Sequence, residues 1–172
     1  YTKSKKVSSS EEVKLAYKVS PHLNLDLSKL TSRAKREFYV EIHPKIAKSK
    51  IKDSEWEKLK QKKLDATDIK NLKIERITDD EINSMNDSDN KAAYLYYLMN
   101  KGYAYDEKTI RTGDVTDEEY AYISENNEEL TGFNTRLDWE RVYPYGDTFK
   151  TILGKVSSAS QGLPVEEKEY YL

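Results

Sequence analysis

The chain has no cysteine in its 172 residues, which excludes disulfide bonds, thiolate zinc sites and cysteine nucleophiles. Only two histidines are present, His22 and His43, and they lie in separate segments without a companion at ligand spacing. Isolated histidines of this kind are typical of a surface or a helix end. The sequence therefore predicts no metal site, and it contains no recognisable cofactor-binding motif.

Long apolar runs and a large charge excess are also missing. The longest apolar run, 92–99, is too short to cross a bilayer, and no signal peptide is recognisable. A net charge of −2, from 29 basic and 31 acidic residues, produces no overall field that would favour nucleic acid. With 37% hydrophobic and 35% charged residues, the composition predicts one well-solvated domain with a modest core.

Helix starts dominate the sequence up to about residue 131. Serine or threonine followed three residues later by glutamate is the signature of a capping box, and it occurs at Ser9/Glu12, Ser54/Glu57, Thr78/Glu81 and Thr116/Glu119. With the helix formers and breakers around them, these signals predict a helical lobe over about 9–131. The individual helices are expected near 11–20, 32–42, 55–63, 65–77, 80–86, 90–100 and 117–126.

The most apolar of these helices, "NKAAYLYYLMN" (90–100), ends before Gly102. Its predicted buried stripe, at helical spacing, is Ala92, Leu95, Tyr96 and Met99. Four further residues widen that stripe: Ala93, Tyr94, Tyr97 and Leu98. Two interpretations stay open: a simple core helix, or a helix whose Tyr94 and Tyr97 face a partner or another domain. The second is considered because tyrosine is suited to interfaces that are partly exposed to water.

After Gly132 the pattern alternates with period two, which predicts a strand over about 133–143. The segment "YAYDEKTI" (103–110) is a weaker strand candidate and a possible ladder partner, as is the N-terminal "YTKSKKV". We therefore expect an α+β fold: a mostly helical lobe followed by a small strand-bearing part over about 132–172.

The turn in "RVYPYG" predicts a structural joint. Its arginine is expected to stack on an aromatic ring and pair with a carboxylate, and its proline and glycine are expected to fix the angle at which the chain leaves the strand. Its residues are Trp139, Arg141, Tyr143, Pro144, Gly146 and Gly154.

Several short motifs resemble metal-binding or catalytic sites but lack the further residues or the buried surroundings that such sites need. "NDSDN" (86–90) is rich in oxygen ligands, yet it lacks the glycine and the bidentate glutamate of a calcium loop and is expected to be a helix cap. Ser32/Lys35, Ser49/Lys52, Ser88/Asn90 and 111–113 approximate the three motifs of penicillin-recognising serine enzymes. Because the two serine–lysine pairs lie in highly charged stretches, we expect these residues not to converge on one cleft.

A second and longer similarity also involves penicillin-recognising enzymes, but it does not include their catalytic motifs. "RVYPYGDTFKTILGKVSSASQGLP" resembles the R-x-Y-P-x-G…G segment of class B penicillin-binding proteins, which belongs to their non-catalytic dimerisation, or pedestal, domain. "YTKSKK", "FYVEIHPKIAK" and "DVTDEEYAYISENNEELTGFNTRLDWE" extend the resemblance, so it covers most of the chain. The likeness is greatest to the elongation-type, penicillin-binding protein 2B-like members of Gram-positive cocci.

The resemblance implies a non-catalytic domain spanning 1–172, excised from a longer parent. The family's R-G-x-I-x-D-R-x-G segment is absent at one end, and its G-x-x-x-L-E segment at the other. The implied parent is a peptidoglycan D,D-transpeptidase, anchored at the extracellular face of the membrane. Its implied partners are its own transpeptidase domain and a SEDS-class membrane glycosyltransferase.

Three other readings stay open from the residues alone. They are a free-standing extracellular helical binding or sensor module, an intracellular adaptor, and a protein that is itself acylated by penicillin. Covalent labelling by a fluorescent β-lactam distinguishes the last of these. A reading frame that continues past Leu172 into a serine–lysine catalytic domain would exclude the free-standing module. A membrane span upstream in the same reading frame would test the intracellular adaptor.

Overall fold

The computed structural model describes residues 1–4 and 7–136. The chain divides into two units, Tyr1–Asn134 and Thr135–Leu172, and all the elements given below belong to the first unit. Within the described residues there are eight α-helices: α1 Ser9–Val19, α2 Ser32–Ile42, α3 Pro44–Ser49, α4 Asp53–Lys60, α5 Ala66–Glu75, α6 Asp79–Asn83, α7 Asp87–Asn100 and α8 Asp117–Glu125. Two 3-10 helices, Ser20–His22 and Leu27–Lys29, lie between α1 and α2.

Helix α7 is the centre of the core and packs against both α1 and α2. The predicted stripe on α7 is confirmed, since its four members are all buried. The rings of Tyr17, Phe38 and Tyr96 tie the three helices together, with Phe38 5.6 Å from Tyr17 and 5.5 Å from Tyr96 between ring centroids. Burial of this wide apolar surface supplies the main stabilisation of the lobe.

Capping explains most of the helix starts. The predicted boxes at Thr78/Glu81 and Thr116/Glu119 are confirmed. "NDSDN" is a cap as expected, because Asn86 accepts a hydrogen bond from the amide of Asp89 at the start of α7. Asp65 forms a further box with Asp68, which a search for glutamate alone misses.

Two predicted boxes are wrong. The first helix is capped by Ser8 with Glu11, not by Ser9 with Glu12. Glu12 is unavailable for capping because its side chain is buried beside Tyr1 and Lys3. The box predicted at Ser54/Glu57 is also displaced: α4 begins at Asp53, where Glu55 accepts from the amide of Lys52.

The sequence does not predict helix α3, because the His43–Pro44 step indicates only the end of α2. Proline disfavours helix in the residue before it, but it is well suited to the first helical position itself. Pro44 therefore ends α2 and begins α3 within one step.

The predicted mostly helical lobe is confirmed, whereas the strand-bearing part is not. In residues 1–4 and 7–136 there is no strand, only an isolated antiparallel bridge between Thr2 and Glu107. The prediction of a strand over 103–110 is wrong, because Gly102 and Tyr105 have φ of +81° and +71° and interrupt any extended run. Residues 133–136 of the second predicted strand are not a strand either, and its remainder lies outside the described residues.

Candidate functional site

The first two residues of the chain are fixed across the lobe by backbone hydrogen bonds. The nitrogen of Tyr1 donates to the carbonyl of Lys108 and the amide of Lys108 donates back to the carbonyl of Tyr1, both at 2.7 Å. The amide of Thr2 then donates to the carbonyl of Gly132 at 2.8 Å. We call this arrangement of Tyr1, Thr2, Glu107, Lys108 and Gly132 the clamp. It places the N-terminal segment beside the point where the chain leaves the helical lobe.

Gly132 is required at this position for two independent reasons. Its φ is +89°, a left-handed conformation that side chains disfavour. A Cβ atom there would also lie 2.5 Å from the carbonyl oxygen of Thr2 and 3.0 Å from the ring of Tyr1. The close approach of the two backbones therefore depends on the absence of a side chain.

The clamp is anchored in the core by a buried carboxylate. Glu12 is 0% exposed, and its two oxygens accept from the hydroxyl of Tyr1 at 3.0 Å and from Nζ of Lys3 at 2.6 Å. Burial, followed by the charge and hydrogen bond of Glu12, raises the pKa of Tyr1 well above its usual range. The ring of Tyr1 packs 4.9 Å from that of Phe133, between centroids. Sequence reasoning missed Glu12 because it looked like an ordinary cap residue.

A second carboxylate organises the loop before α8. Glu119 is buried and accepts from the amides of Asn24 at 2.7 Å and Thr116 at 2.9 Å. The guanidinium of Arg111 lies 3.4 Å from the same side chain. Burial acts to raise the pKa of Glu119, but the two amides and Arg111 outweigh it, so the pKa is lowered. This network connects the segment after α1 to α8 and serves the fold.

The serine–lysine patterns do not form a buried site. Ser32, Ser49, Ser88 and Thr112 are all exposed and lie in α2, α3, α7 and the loop before α8. The hydroxyl of Ser49 donates to the carbonyl of Ile46 at 2.8 Å, within its own helix. No group of three metal-ligating side chains occurs in the part of the chain that the structure describes. Within the same part, no helix is long and apolar enough to span a membrane.

Comparison with known proteins identifies the family. The family model described as the penicillin-binding protein dimerisation domain matches residues 1–172. The chain belongs to this family.

Relatives and a solved structure agree with this assignment of the dimerisation domain. Penicillin-binding protein 2A of Bacillus subtilis is 36% identical over the whole chain, which covers 24% of that protein. Penicillin-binding protein 2B of Streptococcus pneumoniae is 27% identical, and the chain covers 25% of it. A solved structure of penicillin-binding protein 2B from Streptococcus pneumoniae has the same fold, with a TM-score of 0.63 and 23% identity over 99% of this chain and 26% of that one. The chain thus spans about a quarter of the length of these relatives.

The residues predicted to act in the dimerisation domain are only partly described. The joint residues Trp139, Arg141, Tyr143, Pro144, Gly146 and Gly154 lie outside the described residues. Of the two candidate interface tyrosines, Tyr94 is buried and Tyr97 is half-buried, and their rings stack with centroids 6.4 Å apart. Ala93 is also buried, while Leu98 is half-buried like Tyr97. Contact of Tyr94 and Tyr97 with a partner stays a prediction.

Proposed function

We propose that this chain is the non-catalytic pedestal of a membrane-anchored peptidoglycan D,D-transpeptidase. In this role it positions a penicillin-binding catalytic domain at the extracellular face of the membrane. The match of the dimerisation-domain family to residues 1–172 carries the proposal. The parent would cross-link stem peptides through an acyl-serine intermediate formed in the other domain.

The clamp supports a positioning role for the helical lobe. Because Thr2 and Gly132 are hydrogen-bonded at 2.8 Å, the chain enters and leaves the lobe at one place. A lobe attached in this way can be removed without separating the segments on either side of it. It can also offer a docking surface to other proteins of cell-wall synthesis, of which a SEDS-class glycosyltransferase is the proposed partner.

This geometry gives a direct test in the full-length parent. Residues 4–131 are replaced by a short glycine–serine linker that joins Lys3 to Gly132. We expect a fluorescent β-lactam to acylate this variant at a rate within about twofold of the parent, since the lobe supplies no catalytic group. Growth and co-purification of the glycosyltransferase are expected to be lost. The control carries the same linker inserted at Gly113, an exposed loop position with open space around it.

Two outcomes of this experiment contradict the proposal. Loss of acylation in the deletion variant but not in the control would assign the lobe to the catalytic machinery. Full growth without the lobe would remove the positioning role. Covalent labelling of the isolated 172-residue chain by the β-lactam would contradict the non-catalytic assignment directly.

The joint proposed at 139–154 has its own test. Arg141 is expected to pair with a carboxylate or carbonyls, so Arg141→Ala should lower the free energy of unfolding by about 2–4 kcal/mol. In the full-length protein the acylation site should stay intact in whatever folds. Unchanged stability together with abolished β-lactam labelling would instead place Arg141 in catalysis.

The second candidate function is a free-standing extracellular binding or sensor module. The mostly helical lobe is compatible with it, and no catalytic group is needed. The reading frame on both sides of the chain decides between the two candidates. A stop codon directly after Leu172 in the source genome would favour the module.

A further inference from the structure

Helix α4 lies at the edge of the lobe and contributes no buried residue to it. Its one packing neighbour among the described helices is α5. Its two apolar side chains, Trp56 and Leu59, are half-buried and lie outside the main hydrophobic core around α7. Because burial of apolar surface supplies most of the stability of a helix in a folded domain, α4 is held less firmly than the helices that share the core.

The start of α4 is fixed by one guanidinium group. Arg76, at the end of α5, donates to the two carboxylate oxygens of Glu55 at 2.6 Å and 2.7 Å, and to the carbonyl of Lys50 at 2.7 Å. The amide of Lys52 also donates to Glu55, at 2.9 Å. The same carboxylate therefore caps α4 and holds it against α5 through charge-assisted hydrogen bonds. We call Arg76, Glu55 and the Lys50 carbonyl the latch.

The face of α5 that carries the latch also carries a covered apolar residue. Ile69, Lys73 and Arg76 recur at helical spacing and share this face. Nζ of Lys73 lies 5.8 Å from the centroid of the Trp56 ring on α4. Ile69 is 4% exposed, yet it lies outside the main core, as α4 does. Because the contacts run in opposite order along the two helices, they place Ile69 under the C-terminal end of α4.

The turn after α4 adds a small strain. Lys62 has a φ of +57°, a left-handed conformation that a lysine disfavours. The folded turn keeps Lys62 in this conformation, whereas an unfolded turn does not. The strain therefore weakens the attachment of α4 further.

We propose that residues 52–64, which we call the strap, open and close on α5 while the core of the lobe stays folded. The latch holds the strap closed, and opening uncovers Ile69. Any contact made at Ile69 therefore requires the open strap, and the strength of the latch sets how often that residue is available. The proposal goes beyond the pedestal function and does not rest on it, because it concerns the 172-residue chain alone.

Hydrogen exchange of the 172-residue chain, followed by mass spectrometry at low concentrations of urea, tests whether the strap opens alone. A detached helix of eight residues does not stay folded in water, so opening exposes the amides of α4 to exchange. We expect these amides to exchange about a hundredfold faster or more than the slowest amides of α7. Their exchange should also depend less on urea, because less surface is uncovered. Equal protection of α4 and α7 overturns the proposal.

A pair of arginine variants tests the latch. Arg76→Gln removes it, and we expect the exchange of α4 to accelerate by about threefold or more. Arg36→Gln is the matched control, since Arg36 lies 2.7 Å from Asp79 and its side chain is 29% exposed, against 30% for Arg76. The control should leave the exchange of α4 unchanged, because α2 and α6 stay folded when the strap opens. Equal acceleration of α4 by both variants would show that the latch does not hold the strap.

A core variant tests whether the opening is local. Val19 on α1 is completely buried in the main core. Val19→Ala should accelerate the slowest amides of α7 by about tenfold or more, since these exchange through global unfolding, and leave α4 unchanged. Should this variant not fold, Ile82→Val removes a single methylene from the same core and should accelerate α7 by about threefold. Acceleration of α4 and α7 by the same factor means that α4 opens only with the whole lobe, which contradicts the proposal.

Engineered cysteines identify the surface that opening uncovers, because the chain has none of its own. Ile69→Cys and Met99→Cys replace residues that are 4% and 1% exposed in the closed chain. We expect a thiol reagent to modify the first about a hundredfold faster or more than the second, and Arg76→Gln to raise the rate at Ile69→Cys by about threefold or more. Urea unfolding midpoints verify that each variant is folded during the reaction. Equal rates at the two positions would mean that the strap does not uncover Ile69, and the proposal would fall.

Discussion

The amide of Thr2 donates to the carbonyl of Gly132 at 2.8 Å, across 130 positions of the sequence. The bond joins the beginning of the described chain to the end of the helical lobe. It is possible only because Gly132 has no side chain where the two backbones meet. One backbone contact of the clamp, at Gly132, can therefore be tested by single substitutions.

Replacement of Gly132 by alanine should destabilise the chain strongly. The new Cβ would lie 2.5 Å from the carbonyl oxygen of Thr2, and the residue would keep a φ of +89°. We expect the free energy of unfolding to fall by about 2–4 kcal/mol, since backbone strain and steric displacement of the clamp add together. Urea denaturation followed by circular dichroism measures this change.

Gly113→Ala is the matched control for that experiment. Gly113 also has positive φ, at +62°, but a Cβ there would have no atom within 4 Å. Only the conformational strain remains, so the loss should be about 1 kcal/mol. If the two alanine variants are equally unstable, the close contact at Gly132 contributes nothing.

Removal of one partner from the buried Glu12–Lys3 pair should be costly. Glu12 is completely buried, while the side chain of Lys3 is 23% exposed. Among the described residues, Lys3→Met leaves the Glu12 carboxylate with the Tyr1 hydroxyl as its one hydrogen-bonding partner. We expect a loss of about 2–3 kcal/mol in the free energy of unfolding. Lys3→Met/Glu12→Gln should recover part of that loss, because the uncompensated charge is then gone.

A double-mutant cycle in urea gives the coupling energy between Lys3 and Glu12. Lys45→Met serves as the control, since Lys45 is exposed and should change stability by less than about 0.5 kcal/mol. A double variant whose loss equals the sum of the single losses would show that the two side chains act independently, contrary to the geometry.

The sequence predicted the helical lobe because local signals decide helices. Capping threonines and the apolar stripe on α7 act within a few residues, and these predictions hold. The clamp could not be predicted in this way. Glu12 has the spacing of a cap residue, and only the return of Tyr1 and Lys3 to the core shows why it is buried. The strand predicted over 103–110 failed because an alternating pattern does not reveal positive φ at Tyr105.

Three tyrosines should make the fold sensitive to alkali. Burial raises the pKa of Tyr1, Tyr17 and Tyr96 well above 10, with hydrogen bonds to Glu12 and Asp89 adding to the shift at Tyr1 and Tyr17. A tyrosine whose pKa is raised in the folded state stabilises that state at pH values below the unfolded pKa of about 10. That stabilisation is lost as the pH rises toward the folded value, because the unfolded chain alone releases the protons.

We therefore expect the free energy of unfolding to fall as the pH rises above about 10, by at most about 1.4 kcal/mol per pH unit for each tyrosine. Urea titrations between pH 8 and 11 provide the measurement, with tyrosinate absorbance to follow ionisation. The fall in the free energy of unfolding with pH should be less steep for Tyr17→Phe than for the parent chain. Tyr103→Phe, at an exposed position, should have the same slope as the parent chain. Identical slopes in all three proteins would rule out the raised pKa values as the cause.

At the acid end, stability should depend on the contact between Glu55 and Arg76. The guanidinium of Arg76 donates to both carboxylate oxygens of Glu55, at 2.6 Å and 2.7 Å, and also to the carbonyl of Lys50. The hydrogen bonds from Arg76, then that from the Lys52 amide, lower the pKa of Glu55 to about 2. Because this folded pKa lies below the unfolded one, the contact stabilises the fold above the unfolded pKa of 4.5. The stabilisation is lost as the pH falls through about 2.

Arg76→Gln should return the Glu55 titration toward its ordinary value, since the guanidinium is the largest cause of the shift. It should also reduce the fall in stability between pH 4.5 and 2, because folded and unfolded chains would then bind the proton at similar pH. Carboxyl-carbon NMR of Glu55 measures the titration, and urea midpoints measure the slope. Lys70→Gln is the control, because Lys70 approaches Glu41 only to 3.9 Å at an exposed position. A Glu55 midpoint that stays near 2 without Arg76 would mean that the Lys52 amide alone holds the carboxylate ionised, and that Arg76 joins α4 to α5 without affecting its titration.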